Sequence, residues 1–157
     1  LDKHKHHHHA EKIDIDKLID TVVGLSKARG ERMTSVRRDV IVAMSKLKEP
    51  QGAYKILAEL NKKRNPKLSA MSLYRTLDFL TELSIVIKLP SQNAFALCAV
   101  QNHDHSHLMI ICDGCGGTQE VDDNTVSKKL QTLATKHGHT LKHQVMELHG
   151  LCARCEV

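Results

Sequence analysis

The chain has 157 residues, 41% of them hydrophobic and only 3% aromatic, with no Trp. That length suits one domain or two small ones, with cores built from Leu, Ile, Val, Ala and Met. No apolar run approaches the roughly 20 residues that span a bilayer, and the charged, His-rich start has no apolar stretch of the secretory kind, so a cytoplasmic protein with no membrane partner is expected. The formal charge of +5 is unevenly spread: residues 1–90 carry 18 basic and 11 acidic side chains, residues 91–157 carry 5 and 7. A basic front half suits a polyanion, and a Cys/His-rich back half suits a metal.

Residues 1–10 read as a disordered or tag-like His-rich tail. Residues 13–28 then place Leu18, Ile19, Val22 and Leu25 on one stripe, as an amphipathic helix does, and Gly30 ends it. Thr34 is placed to cap a second helix over 35–46, with Arg37 and Arg38 in its first turn. After the break at Pro50-Gln51-Gly52, a third helix spans 53–61. A basic loop over 62–67 leads to Ser69, the cap of a fourth helix over 70–83 with Leu73, Leu77 and Leu80 at core spacing. The period then changes, and 85–89 and 94–99 read as two strands joined by Pro90-Ser91-Gln92-Asn93.

Helices followed by a hairpin make a winged helix-turn-helix over residues 11–99. The helix before the wing is its reading helix. Ser72, Tyr74 and Arg75 face outward there, and a hydroxyl with a guanidinium fork suits phosphate or base-edge contact on double-stranded DNA. Residues 100–157 read as a small α/β unit. It has strands over 107–112, 118–121 and 139–148, and a helix over 124–137. The expected class is therefore α+β. A unit this small cannot bury both faces of its sheet alone, so a two-fold homodimer is expected.

Cys112-x-x-Cys115 and Cys152-x-x-Cys155 stand 36 residues apart. Each pair forms a knuckle with two thiolates aimed at one ion, and two knuckles complete a closed tetrahedral site for structural zinc. In a reducing compartment such pairs favour metal over disulfides. A second set of donors surrounds the junction of the halves. Cys98 closes the wing, and Glu120 lies on a neighbouring strand. His103, His105 and His107 would project on one side of an extended segment. Such a mixed set suits zinc and exchanges more readily than four thiolates, as a sensor requires. His139 and His149 read as ordinary surface histidines.

Taken together, Met33-Thr34-x-x-Arg37, Ser72-Leu73-Tyr74-Arg75-Thr76-Leu77, the His-rich run before Cys112-Asp-Gly-Cys115-Gly, and His149-Gly-Leu-Cys152-x-x-Cys155 resemble the ferric uptake regulator family. Gln51-Gly-Ala-Tyr54 and Leu97-Cys98 resemble its zinc uptake branch. The resemblance implies a dimeric, zinc-activated repressor that binds a palindromic DNA operator in front of zinc uptake genes. It implies structural zinc on Cys112, Cys115, Cys152 and Cys155, and regulatory zinc on Cys98, His105 and Glu120. It also implies DNA contacts from Arg37, Ser72, Tyr74 and Arg75. In related zinc regulators the first wing strand often supplies a fourth ligand. The matching position here is Ile87, so His103 takes that place by proximity, with His107 or a water next. Some members carry a second exchangeable site, which here would use His107 and His143. The alternative is an iron- or peroxide-responsive regulator of the same fold, against which the thiol at Cys98 argues. A zinc hydrolase would need an open position and a placed base. With no His-Glu-x-x-His in the chain, no enzyme activity is expected.

Overall fold

The structure, a computed structural model, describes residues 13–47, 49–98, 107–141 and 145–156. The His-rich tail, His103, His105 and His143 lie outside them.

Four helices and a hairpin build the front half: α1 Ile15–Ala28, α2 Ser35–Met44, α3 Ala53–Asn61, α4 Ala70–Glu82, then β1 Val86–Leu89 and β2 Ala94–Leu97. Three helices begin at short polar side chains, because the first turn has N–H groups with no partner in the helix. Asp14, Thr34 and Ser69 accept from the backbone N–H of Lys17, Arg37 and Ser72 at 3.2, 3.3 and 3.2 Å. Past α1, Gly30 takes φ +71°, a left-handed turn open to glycine without Cβ strain.

The apolar stripes of the four helices meet in one core. Leu18, Val22, Ile41, Ile56, Leu77 and Leu80 are at most about 1% exposed within it. The wing is an antiparallel hairpin with Val86 opposite Leu97 and Leu89 opposite Ala94. Its turn is one 3-10 turn, Pro90–Gln92, followed by Asn93 at φ 47°. Gln51 exchanges backbone hydrogen bonds with Phe95 at 3.0 and 2.9 Å, which fixes the start of α3 to the wing.

In the back half, β3 His107–Cys112 is the middle strand of three. β4 Thr118–Val121 pairs with it antiparallel, and β5 Val145–Gly150 pairs with it in parallel. The parallel partner needs a crossover, and α5 Asn124–Lys136 supplies it. The sequence pattern starts the last strand at residue 139; the ladder begins at Val145 instead. Alternation alone over-extends it, since His139 to Leu141 have no strand opposite them among the described residues.

The wing packs on this sheet through Ile87, Leu89, Cys98 and Met109, each at most 4% exposed. Side chains alternate across a strand, so His107, Met109 and Ile111 share one face of β3. The register sets Glu120 and Glu147 beside Met109, one on each flanking strand. That row of three is the floor on which the wing sits. On the opposite face Ile110 and Leu148 stand side by side in the register, 44 and 45% exposed; Leu133 on α5, Leu151 after β5 and Val145, on the wing's face, are exposed as well.

Candidate metal centres and nucleic-acid interface

The two knuckles come together as the spacing predicts. Cys112 ends β3, Cys152 and Cys155 follow β5, and the parallel pairing of those strands carries the second knuckle onto the first. The four sulfurs lie within 4.8 Å of one another. Cys115 and Cys152 have their sulfurs 4.0 Å apart, close to the roughly 3.8 Å edge of a tetrahedron with zinc–sulfur bonds of about 2.3 Å. The Cys152 backbone N–H donates to the Cys112 sulfur at 3.3 Å. That N–H and the one from Cys115 hold the Cys112 thiol down at about 6, so it is already a thiolate near neutrality. The Cys155 thiol, beside the Cys152 and Cys112 sulfurs, is pushed up to about 12. Four thiolates crowded this closely need a cation among them, and the donor set fits zinc.

Gly114 and Gly116 serve the first knuckle in different ways. Gly116 has φ +71°, which the reversal of the chain demands. At Gly114 the constraint is space: an added Cβ would stand 2.7 Å from the Cys155 Cβ and 2.9 Å from its sulfur.

The second cluster sits at the joint between the halves. Cys98 leaves the wing with its N–H bonded to the Ile85 carbonyl at 2.9 Å. Its sulfur lies 3.6 Å from His107 Nδ1 and 3.6 Å from Glu120 Oε1, and those two atoms are 2.9 Å apart. All three residues are largely buried, Cys98 at 2% exposure. The register explains the meeting: Glu120 stands opposite Met109, so His107, two residues earlier on the same face, is its diagonal neighbour. A thiol, an imidazole and a carboxylate within 4.8 Å of one another suit a borderline-soft divalent ion. His107, which the sequence offered both as a fallback fourth ligand here and as half of a second site with His143, lies within reach of Cys98 and Glu120; His103, His105 and His143 lie outside the described residues. Ile87, the residue that cannot ligate, lines the apolar wall beside Cys98.

On the reading helix, Tyr74 and Arg75 are exposed, as is Met71. Ser72 is half-buried, and its hydroxyl lies 3.0 Å from that of Ser69, within the helix cap. Arg37 is engaged inside the fold. Its guanidinium lies over the Phe79 ring at 3.2 Å, pairs with Glu31 at 2.7 Å and donates to the Arg32 carbonyl at 2.7 Å. That geometry makes Arg37 a brace between α2 and α4. Tyr54, in the first turn of α3, is 77% exposed and was not singled out from the sequence as a contact. An exposed tyrosine on the helix before a reading helix is a signal the sequence held. No helix among the described residues is long and apolar enough to cross a membrane.

A winged helix whose wing exit meets clustered metal donors on a small sheet, beside a four-thiol knuckle, defines a class: a DNA-reading unit joined to a metal-binding one. The chain belongs to the ferric uptake regulator family, whose model matches residues 28–149. It is 36% identical over 146 residues to the zinc uptake regulation protein of Escherichia coli (strain K12), covering 92% of this chain and 85% of that protein. Among solved structures, a zinc uptake regulator complexed with zinc and DNA superposes with TM-score 0.76 at 34% identity, over 92% of this chain and 96% of that one. Holo XcZur, 32% identical, gives 0.72 over 90% of this chain and 98% of that one; apo XcZur, also 32% identical, gives 0.51 over 92% and 99%. The arrangement of this chain is thus nearer to the holo form.

Proposed function

We propose that this protein is a zinc-responsive transcriptional regulator: a cytoplasmic homodimer that represses zinc uptake genes by binding a palindromic operator when zinc is plentiful, with no catalytic role. The observation that carries the reading is the meeting of Cys98 with His107 and Glu120. Cys98 belongs to the wing and the other two to the sheet, so an ion held by all three ties one half to the other. Kinship with zinc uptake regulators, and the greater likeness to the holo form of one of them, agree with this.

Within the reading, Cys112, Cys115, Cys152 and Cys155 hold structural zinc. Cys98, His107 and Glu120 hold the regulatory ion, with His103 and His105 the candidates for its remaining position. The thiol at Cys98 selects zinc over harder ions. Zinc bound at the joint supplies a cross-link and no redox chemistry. The residues around it do the rest. With the donors apart, the wing exit can swing; with them converged, the two reading helices of a dimer hold the half-site spacing that a palindrome demands. Because convergence is favoured by either ligand, zinc and operator strengthen each other by the same factor. Tyr74 and Arg75 meet base edges or phosphates, and Tyr54 meets the backbone, as the helix preceding a reading helix does. Exposed Ile110 and Leu148, on the face of the sheet away from the wing, supply apolar surface for the second copy.

The test is selection of bound sequences from random duplex DNA at buffered free Zn²⁺, repeated with Fe²⁺. A palindrome recovered with Zn²⁺ alone supports the reading. Enrichment only with Fe²⁺, or with neither metal, contradicts it.

A further inference from the structure

One attachment point makes a hinge, and two make a fixed orientation. The joint at Cys98 fixes the exit of the wing. A hairpin with four-residue strands reaches about 13 Å from there, and its tip would swing on a single anchor. The structure places a second contact at that tip. The backbone N–H of Ser91 donates to Glu147 Oε2 at 3.3 Å. The same oxygen lies 3.5 Å from His149 Nε2, and His149 Nδ1 lies 2.8 Å from Asp113 Oδ1. Asp113 is part of the first knuckle, and the Gln92 side chain donates to the Gly116 carbonyl beside it at 3.4 Å.

The sheet register makes this arrangement possible. Glu120 and Glu147 flank Met109 on one face, so one carboxylate reaches the wing exit and the other the wing tip. Glu147 is largely buried, with a side-chain exposure of 13%. A carboxylate taken out of water to that extent needs partners that repay its desolvation. Oε2 has two, a peptide N–H and an imidazole whose second nitrogen is held by Asp113, which raises the His149 pKa above its ordinary value, while Oε1 is buried with no hydrogen-bond partner among the described residues.

We propose that Glu147, braced by His149 and Asp113, latches the wing tip to the four-cysteine knuckle and is a positioning residue for DNA reading. The four-cysteine site then does more than hold the back half together: it is the platform on which the wing is oriented. This rests on the regulator reading for its effect on DNA, but the latch itself is a contact within one chain.

The test uses the full-length, zinc-loaded dimer and two variants, Glu147→Ala and Glu147→Gln. Zinc content and dimer state are measured first, then amide exchange across residues 90–93, then affinity for the selected operator at saturating zinc. Glu147→Ala should keep both zinc ions and the dimer, yet show about tenfold faster wing-tip exchange and about tenfold weaker operator binding. Glu147→Gln should fall between it and the parent, because its amide oxygen still accepts from Ser91 while the carboxylate's negative charge beside His149 is gone; it also serves if the alanine variant does not fold. Unchanged exchange at Ser91 and Gln92 overturns the latch, and faster exchange with parental operator affinity overturns the positioning role. If the parent itself binds no operator, the regulator reading falls while the exchange measurement still decides the latch.

Discussion

Gly114→Ala tests the packing of the two knuckles. The added Cβ would stand 2.7 Å from the Cys155 Cβ, 2.9 Å from its sulfur and 3.3 Å from Leu151 Cδ2. Carbon atoms in contact sit about 3.5–4.0 Å apart, so the overlap with the Cys155 Cβ is on the order of 1 Å. Cys155 cannot yield by rotation alone, because its Cβ is fixed by the backbone and its sulfur is a ligand. Forced overpacking of this kind costs about 1–3 kcal/mol. The clash exists only while the knuckles are pressed together, so the cost falls on the zinc-bound state. It should appear as zinc affinity weakened by roughly 5- to 150-fold, at about 1.4 kcal/mol per tenfold. The assay is competition against a chromophoric chelator. Gly117→Ala is the control, since its Cβ would come no nearer than 3.4 Å to the Cys115 sulfur. If Gly114→Ala holds zinc as tightly as the parent, or if Gly117→Ala loses as much, the argument from close approach is wrong.

Cys152→Ser should unfold or monomerise the back half, because a structural zinc contributes about 10 kcal/mol or more of apparent folding energy; a folded dimer lacking that zinc, seen by sedimentation and circular dichroism, would refute it. Arg75→Ala should cost about 1–3 kcal/mol of operator discrimination, or make the salt dependence shallower if it holds a phosphate; parental binding across several salt concentrations would show that the reading helix is misassigned. Arg37→Ala should lower stability by about 1–2 kcal/mol through loss of the Phe79 and Glu31 contacts. Its slope of operator affinity against salt should stay parental, and a shallower slope would make Arg37 a phosphate contact.

How far the sequence could be read followed from how local each signal was. Thr34 and Ser69 announced two helix starts because capping uses neighbouring residues only. The strands from His107 and from Thr118 were legible as compact apolar or β-prone runs. The four cysteines carried their own geometry in their spacing. The joint was harder. Three histidines at alternating positions look equivalent along the chain, and only the β3–β4 register brings His107 to Glu120. The role of Arg37 was hidden for the same reason, because Phe79 is 42 positions away and meets it only once α2 crosses α4. Glu147 had no local mark at all. Its partners come from the wing and from β5 itself, so only the packed structure could set it apart from any other strand glutamate.

The central claim is that the joint at Cys98 turns zinc into DNA affinity, and a titration of the selected operator at buffered free zinc, with parent and Cys98→Ser, tests it most directly. The substitution is nearly isosteric at a position 2% exposed, so the fold and the four-cysteine zinc should survive it. The parent should gain about 1–3 kcal/mol, roughly 5- to 150-fold, in operator affinity as zinc rises, and Cys98→Ser should gain nothing while remaining a dimer with one tightly held zinc per chain. Equal zinc stimulation in the two proteins would contradict the account.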